Sequence, residues 1–422
     1  MQILPSFFRV RQHFQSRALP NVQQATIDAI ANSPAASLIR PGQSVAIGVG
    51  SRGIANLQPI VATTVRCLRG LGADPFIVPA MGSHGGATAQ GQVGVLGSLG
   101  VDEAFVQCQI RSSMDTVFLG ETEGGIPLHI DANAAAADHV VLINRIKPHT
   151  RLTGTLQSGL CKMLMIGLGK HTGAAAFHHA FSAFDYQLDR VASEIVTTIC
   201  QSINVAFGLA LIEDAYDETA WIEAVPGDQF LQREPELLPK AIQWMPRLPF
   251  DKLDLLIVDQ IGKEISGTGM DTNIIGRKAN DKVAMPDEFP KIREIYVRSL
   301  TRSTAGNAAG IGIAEYTHQR VVDAMDRDKT RVNCLVSGHV TAGAIPVTFE
   351  TDEAALLAAR SQFGGTTDQI RWVRITDTLH LSEIQCSEAL WDEIQSGGDR
   401  NDPCEVISEI QPLKFSDGEL SP

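Results

Sequence analysis

Ser44-Val45-Ala46-Ile47-Gly48-Val49-Gly50-Ser51-Arg52-Gly53 is the stretch whose reading decides the fold class. A compact apolar run ends in a glycine-flanked Ser-Arg turn. Past Asn56, the residues Leu57, Ile60, Val61, Thr64, Val65 and Leu68 recur at the spacing of one helix face. A short buried strand that passes through a turn into an amphipathic helix is the repeating element of an α/β sheet. The pattern recurs. Pro75 to Pro79 ends in Met81-Gly82-Ser83-His84-Gly85-Gly86, and His139 to Ile143 ends in Asn144 and Lys147-Pro148-His149. Leu188, Val191, Ile195 and Ile199 then mark a helix, and Asn204 to Leu211 a further strand. In parallel sheets ligands bind beyond the carboxyl ends of the strands. Arg52, His84 and His149 each follow a strand, so they are expected on one rim.

A chain of 422 residues is long for one core, and two domains are expected. The fold class read from the pattern is α/β, with an N-terminal, mostly parallel, Rossmann-like sheet carrying helices on both faces. A smaller C-terminal α/β domain follows. The proline-rich stretch from Pro239 to Pro249 gives the division: residues 1–248, then 249–395, then a tail of 396–422 that is partly loose or packs back. In the second part, strands are expected at Leu253 to Val258, Val332 to Val336 and Ile370 to Ile375. Helices are expected near Asp287 to Ser303, His318 to Met325 and Asp352 to Ser361.

The net charge of −13 argues against nucleic acid or an anionic membrane as partner, since both need a basic face. A local basic pocket for a small anion is still compatible with it. No run of about 18 apolar residues suggests a membrane span, and the N-terminus lacks a signal-peptide pattern. Seven scattered cysteines without a Cys-x-x-Cys pair read as reduced thiols in a cytoplasmic protein. The oligomeric state is left open.

Chemistry-bearing residues gather between Lys147 and His179, where His149, His171, His178 and His179 accompany Lys147, Lys162 and Lys170. Histidine changes charge near neutral pH and is the commonest metal ligand. A buried lysine loses its proton readily and becomes a nucleophile; a lysine whose stem snorkels along apolar surface is the plainer alternative for Lys162. Cys161 reads either as a nucleophile or as a small buried thiol. Gly50-Ser51-Arg52-Gly53 is either a phosphate-binding turn or an ordinary strand–helix turn. His84, flanked by Gly82, Gly85 and Gly86, is expected exposed on the rim as a catalytic or ligand-binding side chain, or as a solvated loop residue. His149 has a backbone restricted by Pro148 and either serves a site or caps a local carbonyl. Gln260 and Lys263 suit a paired carboxylate site, or an exposed turn.

Taken in order, these motifs resemble the nickel-dependent lactate racemase family. Ser51-Arg52-Gly53 stands where the family has a Thr-Arg-Pro-type turn, and Gly82-Ser83-His84 matches its Gly-Thr-His turn. Pro148-His149-Thr150 and Ser158-Gly159-Leu160-Cys161-Lys162 match two further motifs. His178 follows that lysine at the family spacing, and Gln260 and Lys263 form a Gln-x-x-Lys pair. The chain departs from the family at Val49, where an acidic residue is usual, and at Leu160-Cys161, where Gly-Pro is frequent. Neither Trp372 nor Trp391 carries the motif of the family's substrate-contacting tryptophan.

The resemblance implies an isomerase: a racemase or epimerase of an α-hydroxy acid that uses a nickel-pincer nucleotide. It implies Lys162 as the covalent tether, with Arg52, Ser51, Gly50 and Ser158 as cofactor-binding residues and His178 as the nickel ligand. His84 and His149 become the acid/base pair, and Gln260 and Lys263 hold the substrate. The implied partners are a small α-hydroxy acid and the enzymes that make the cofactor. Two other readings of the same residues are a metallohydrolase with zinc on His84, His149 and His178, and a non-catalytic protein that binds an organic acid or nucleotide.

Overall fold

The computed structural model describes residues 3–181, 187–397 and 402–421, with the side chains of 178–181 outside that description. The chain divides into two compact units, one formed by Ser16–Met245 and the other by Met1–Gln15 with Pro246–Pro422. The first fifteen residues, expected with the N-terminal domain, therefore belong to the second unit. Their strand β1 (Phe7–Gln12) explains this, since it pairs antiparallel with two late strands described below.

The Ser16–Met245 unit holds β2 (Ser44–Val49), β3 (Asp74–Pro79), β4 (Thr116–Glu121), β5 (Pro127–Asp131), β6 (His139–Arg145), β7 (Val205–Glu213) and β8 (Thr219–Pro226). Its main sheet has the order β3-β2-β6-β7-β8, and β4 and β5 make a separate hairpin. The pairs β2–β3, β2–β6 and β6–β7 are parallel, and β8 closes the edge antiparallel to β7. The strands are apolar on both sides because helices cover both faces. Val45, Ile47, Val49, Val141 and Ile143 join one core with Leu57, Ile60, Val61, Val65 and Leu68 of the helix Leu57–Gly70. Ala46, Val140 and Leu142 face a second core with Val191, Ile195 and Ile199 of the helix Asp189–Ser202. Both helix faces are those that the 3.6-residue spacing marks out.

The second unit continues with β9 (Lys252–Val258), β10 (Lys291–Val297), β11 (Tyr316–His318), β12 (Val347–Phe349), β13 (Trp372–Ile375), β14 (Glu383–Ser387) and β15 (Cys404–Val406). The hairpin strands β16 (Phe415–Ser416) and β17 (Glu419–Leu420) end the chain. Its sheet runs β12-β11-β10-β9-β13-β14-β1-β15, parallel as far as β13 and antiparallel beyond. The fold is thus mixed α/β with parallel-rich sheets. Two local expectations are corrected. The helix expected near Asp287 to Ser303 is β10, a strand hydrogen-bonded on both sides, where Ile292, Ile295 and Tyr296 are buried through sheet packing. The strand expected at Val332 to Val336 is the end of the helix Arg327–Val336, which Asp326 caps by accepting from the Lys329 N–H at 2.9 Å. Its buried face is Thr330 and Cys334, so Val332, Leu335 and Val336 lie exposed.

The described end of the tail packs back. Arg298 and Arg374 donate to the carbonyls of Leu420 and Ser421 at 2.9 and 2.8 Å, and the Leu420 N–H donates to Asp352 at 2.8 Å. No described helix is long and apolar enough to cross a membrane.

Candidate functional site

The parallel neighbours β2, β3 and β6 deliver their following loops to one rim of the sheet. Gly50, Ser51 and Arg52 leave β2 there, His84 follows β3, and His149 follows β6. Ser51 Oγ is hydrogen-bonded to His84 Nδ1, which joins the first two loops directly. Gly82, Gly85 and Gly86 have φ of +57°, +67° and +68°, so the glycines around His84 are what the turn requires. His84 itself is exposed.

His149 is half-buried and pinned. Its N–H donates to Gln157 Oε1 at 2.9 Å, and its Nδ1 accepts from the N–H groups of Arg151 and Leu152, both at 3.0 Å. The ring caps amides where a carbonyl contact was one of the readings. A neutral ring that accepts at Nδ1 carries its proton on Nε2.

Lys162 ends the helical turn Leu160–Lys162 and stands directly before the π-helical turn Met163–Gly167, where the Leu168 N–H reaches back to Met163 O at 2.9 Å. Single π turns of this kind are frequent at functional sites. The amine is half-buried and makes no hydrogen bond or ion pair among the described residues. Burial, and second the Arg52 charge, pull its pKa down to about 7, while Glu234 acts in the opposite direction. Arg52 reaches water, yet crowding by protein and then the Arg145 charge lower its own pKa. Arg145 is ion-paired to Glu213, whose other oxygen accepts from the Ala55 N–H at 2.6 Å and so fastens the loop after Arg52.

Glu234 lies under the Lys162 turn. It is 2% exposed, one oxygen accepts from the Cys161 N–H at 2.9 Å, and burial pushes its pKa up to about 7. The carboxyl leaves no room at Gly159, where a Cβ would stand 2.5 Å from Oε1. Ser158 is half-buried, and its carbonyl accepts from the Lys147 N–H at 2.9 Å. Cys161 is fully buried, and desolvation raises its thiol well above the usual range, so it is a packing residue and not a nucleophile.

His171 is exposed, and the side chains of His178 and His179 lie outside the described residues. Gln260 and Lys263 belong to the second unit. Gln260 is exposed directly after β9, and Lys263 Nζ donates to Gly267 O and, at 2.8 Å, to Asn333 Oδ1. Trp372 is fully buried beside Phe363, and Trp391 packs edge-on against Phe8 with ring centroids 4.7 Å apart, so both serve the core.

Among the described residues, the one His and carboxylate group close enough for a shared metal is His318, Asp352 and Glu419. Arg298 and Arg320 already offset its charge. The sequence reading missed Arg145, Glu213, Glu234 and the buried Gln92, and gave Lys170 a place in the cluster but no role. Only partners far along the chain give these residues meaning, and no local motif signals them.

Residues 11–187 match the family model of the lactate racemase N-terminal domain. No curated protein matches the chain in sequence. Among solved structures, the lactate racemase apoprotein from Thermoanaerobacterium thermosaccharolyticum superposes with a TM-score of 0.56 at 15% identity, over 87% of this chain and 94% of that one. At that identity the likeness is one of fold. The chain is thus similar in sequence to the lactate racemase N-terminal domain over residues 11–187, and it shares the fold of that apoprotein over most of its length.

Proposed function

We propose that this protein is a racemase or epimerase of an α-hydroxy acid, with His84 and His149 handling the hydroxyl proton while hydride leaves and returns at Cα. The observation that carries the reading is one rim that gathers Arg52, His84, His149 and Lys162 in a lactate racemase-like chain. Direct removal of the Cα proton would place a carbanion beside a carboxylate. Loss of hydride from carbon, with loss of the hydroxyl proton, gives instead a neutral, flat ketone carbon beside the unchanged carboxylate.

The residues present fit a nickel-pincer nucleotide. An amine with a pKa of about 7 suits covalent attachment at Lys162. Arg52 on its glycine-flanked turn suits a phosphate, with Gly50, Ser51 and Ser158 around it. His178 is the proposed nickel ligand. When bound, that group supplies the hydride acceptor.

The two histidines are not equivalent. His84, on a glycine-rich turn, accepts the proton at Nε2, the nitrogen turned away from Ser51. His149, with its proton on Nε2, is set to donate a hydrogen bond to a substrate oxygen. To act as a base at Nε2 it must carry its proton on Nδ1 and give up its contacts with the Arg151 and Leu152 amides. General acid–base help of this kind is typically worth about 10²–10⁴ in rate. Gln260 and Lys263 are the proposed donors to the substrate carboxylate.

The test is to co-express the protein with cofactor-making enzymes, then measure intact mass, nickel content and racemisation of a panel of 2-hydroxy acids. The expected result is a mass increment on Lys162, lost in Lys162→Ala, with activity lost in His84→Asn. An unmodified Lys162, no nickel and no exchange at Cα would together overturn the reading.

A further inference from the structure

Behind the His84 turn lie three polar side chains that the proposed chemistry does not use. Lys170, Gln92 and Asp131 are all shut away from solvent. Lys170 Nζ donates to Pro79 O at 2.6 Å and to Gln92 Oε1 at 3.1 Å, and it faces Asp131 Oδ2 at 3.0 Å. The first two are hydrogen bonds, and the third is an ion pair that balances the ammonium charge. Asp131 is itself fixed, because Oδ1 accepts from the Ala134 N–H at 2.9 Å. Lys170 holds φ of +55°, a conformation that a non-glycine residue keeps only when its surroundings fix it.

The ammonium decides which way Gln92 points. With Oε1 held by Lys170, Nε2 faces the other way and donates to Gly82 O at 2.8 Å and to His84 O at 3.4 Å. A flipped amide would set its NH2 against the ammonium. The contacts therefore run in one direction, from Asp131 through Lys170 and Gln92 to the carbonyls at each end of the Gly82–His84 turn. That turn is rich in glycine, and ordering it costs backbone entropy that neighbouring groups must offset.

We propose that Gln92, oriented by Lys170, is a positioning residue that holds His84 in register with Ser51 on the rim. The proposal deepens the assignment of His84 to proton transfer and rests on it for its catalytic consequence. A plain structural plug would add stability without setting where the imidazole sits.

The experiment labels histidine ring nitrogens with 15N and assigns the His84 signals by their loss in His84→Asn. Ser51→Ala gives the signal of a ring without its serine partner. Gln92→Met keeps the bulk and removes both donors, and its His84 signal is expected to move toward the Ser51→Ala position. In the cofactor-loaded enzyme, kcat is expected to fall about 10–10²-fold, as for a small misplacement of a reacting group, with KM within about twofold. A His84 signal unchanged from wild type in Gln92→Met overturns the proposal. If Gln92→Met does not fold, the double variant Lys170→Met with Asp131→Asn removes the charge pair together, and a wild-type ring signal there overturns it equally. Turnover of His84→Asn separates the two ideas. Undiminished turnover sinks the proton-transfer assignment and leaves the ring result standing.

Discussion

Lys162 and Lys170 flank the π-helical turn Met163–Gly167, and the fold treats them in opposite ways. Lys170 is the more deeply buried, yet it donates to two buried acceptors and Asp131 balances its charge. Lys162 is only half-buried, makes no hydrogen bond or ion pair among the described residues, and feels the Arg52 charge more strongly than that of Glu234. Burial lowers both pKa values, but opposing contacts with Asp131 follow for Lys170, whereas a second lowering influence follows for Lys162. The contrast teaches that depth alone does not make a lysine reactive. What counts is whether its N–H groups have acceptors and which charge stands next to it.

Replacing each lysine by methionine should give the largest difference. Lys170→Met leaves the Asp131 carboxylate buried without its cation, and breaking a buried pair in this way costs about 3–5 kcal/mol. Lys162→Met removes a poorly solvated amine and should lose nothing at pH 7. Urea unfolding of the two variants measures both. Equal losses would erase the contrast. Adding Asp131→Asn to Lys170→Met should recover part of the deficit, since no lone charge then remains.

Amine reactivity gives the next largest effect. With a pKa of about 7, roughly half of Lys162 is neutral at pH 7. An ordinary lysine is neutral in only about one molecule in two thousand. Competitive acetylation of the cofactor-free protein at pH 7, read by peptide mass spectrometry, should label Lys162 about 10²-fold faster than the exposed Lys329. Lys170 should stay unlabelled until the protein unfolds. Labelling of Lys162 at the Lys329 rate would mean that the amine is an ordinary snorkelling one.

Only one of these two lysines could be read from the sequence. Lys162 sits in the Ser158-Gly159-Leu160-Cys161-Lys162 run, so position alone marks it. Lys170 lies in the same histidine-rich stretch, but its meaning comes from Pro79, Gln92 and Asp131, which reach it only after folding. The same limit explains the fold. Strands β2, β3 and β6 were legible because each is a short apolar run ending in a glycine-rich or proline-containing turn. In the helix Leu57–Gly70 the periodic residues are also the buried ones. In β10, Ile292, Ile295 and Tyr296 mimic a helix face, and sheet neighbours on both sides override that spacing. β1 could not be assigned to its unit because its partners β14 and β15 lie at the far end of the chain. Glu234 was invisible for a similar reason, since its contacts at Gly159 and Cys161 lie some seventy residues earlier.

The pH dependence of stability provides a smaller test. The Lys162 pKa is lowered in the folded chain, so between about pH 7 and the usual lysine range the unfolded chain binds a proton that the folded one does not. Stability should therefore rise with pH across that window, and the cost of charging the buried amine should be fully present below pH 7. Lys162→Met should be the more stable protein by about 2 kcal/mol at pH 6, after allowance for the water that reaches a half-buried amine. The gap should narrow by pH 9. A gap that is constant with pH would place the amine in water.

The smallest expected effect comes from Glu234→Gln, which asks whether the carboxyl under the turn sets the Lys162 proton equilibrium. A negative Glu234 raises the Lys162 pKa, so its loss should move the acetylation midpoint to lower pH. The movement is limited because burial holds Glu234 itself near a pKa of about 7, so it is negative only part of the time in the same pH range. Two groups that titrate together share their midpoints, and the shift should be less than about one pH unit. Glutamine keeps an oxygen for the Cys161 N–H, so the turn itself should persist. A midpoint that rises or stays fixed would mean that Glu234 does not oppose burial and Arg52 at the amine. The difference between the two lysines would then lie in the acceptors around Lys170 and owe nothing to a carboxyl near Lys162.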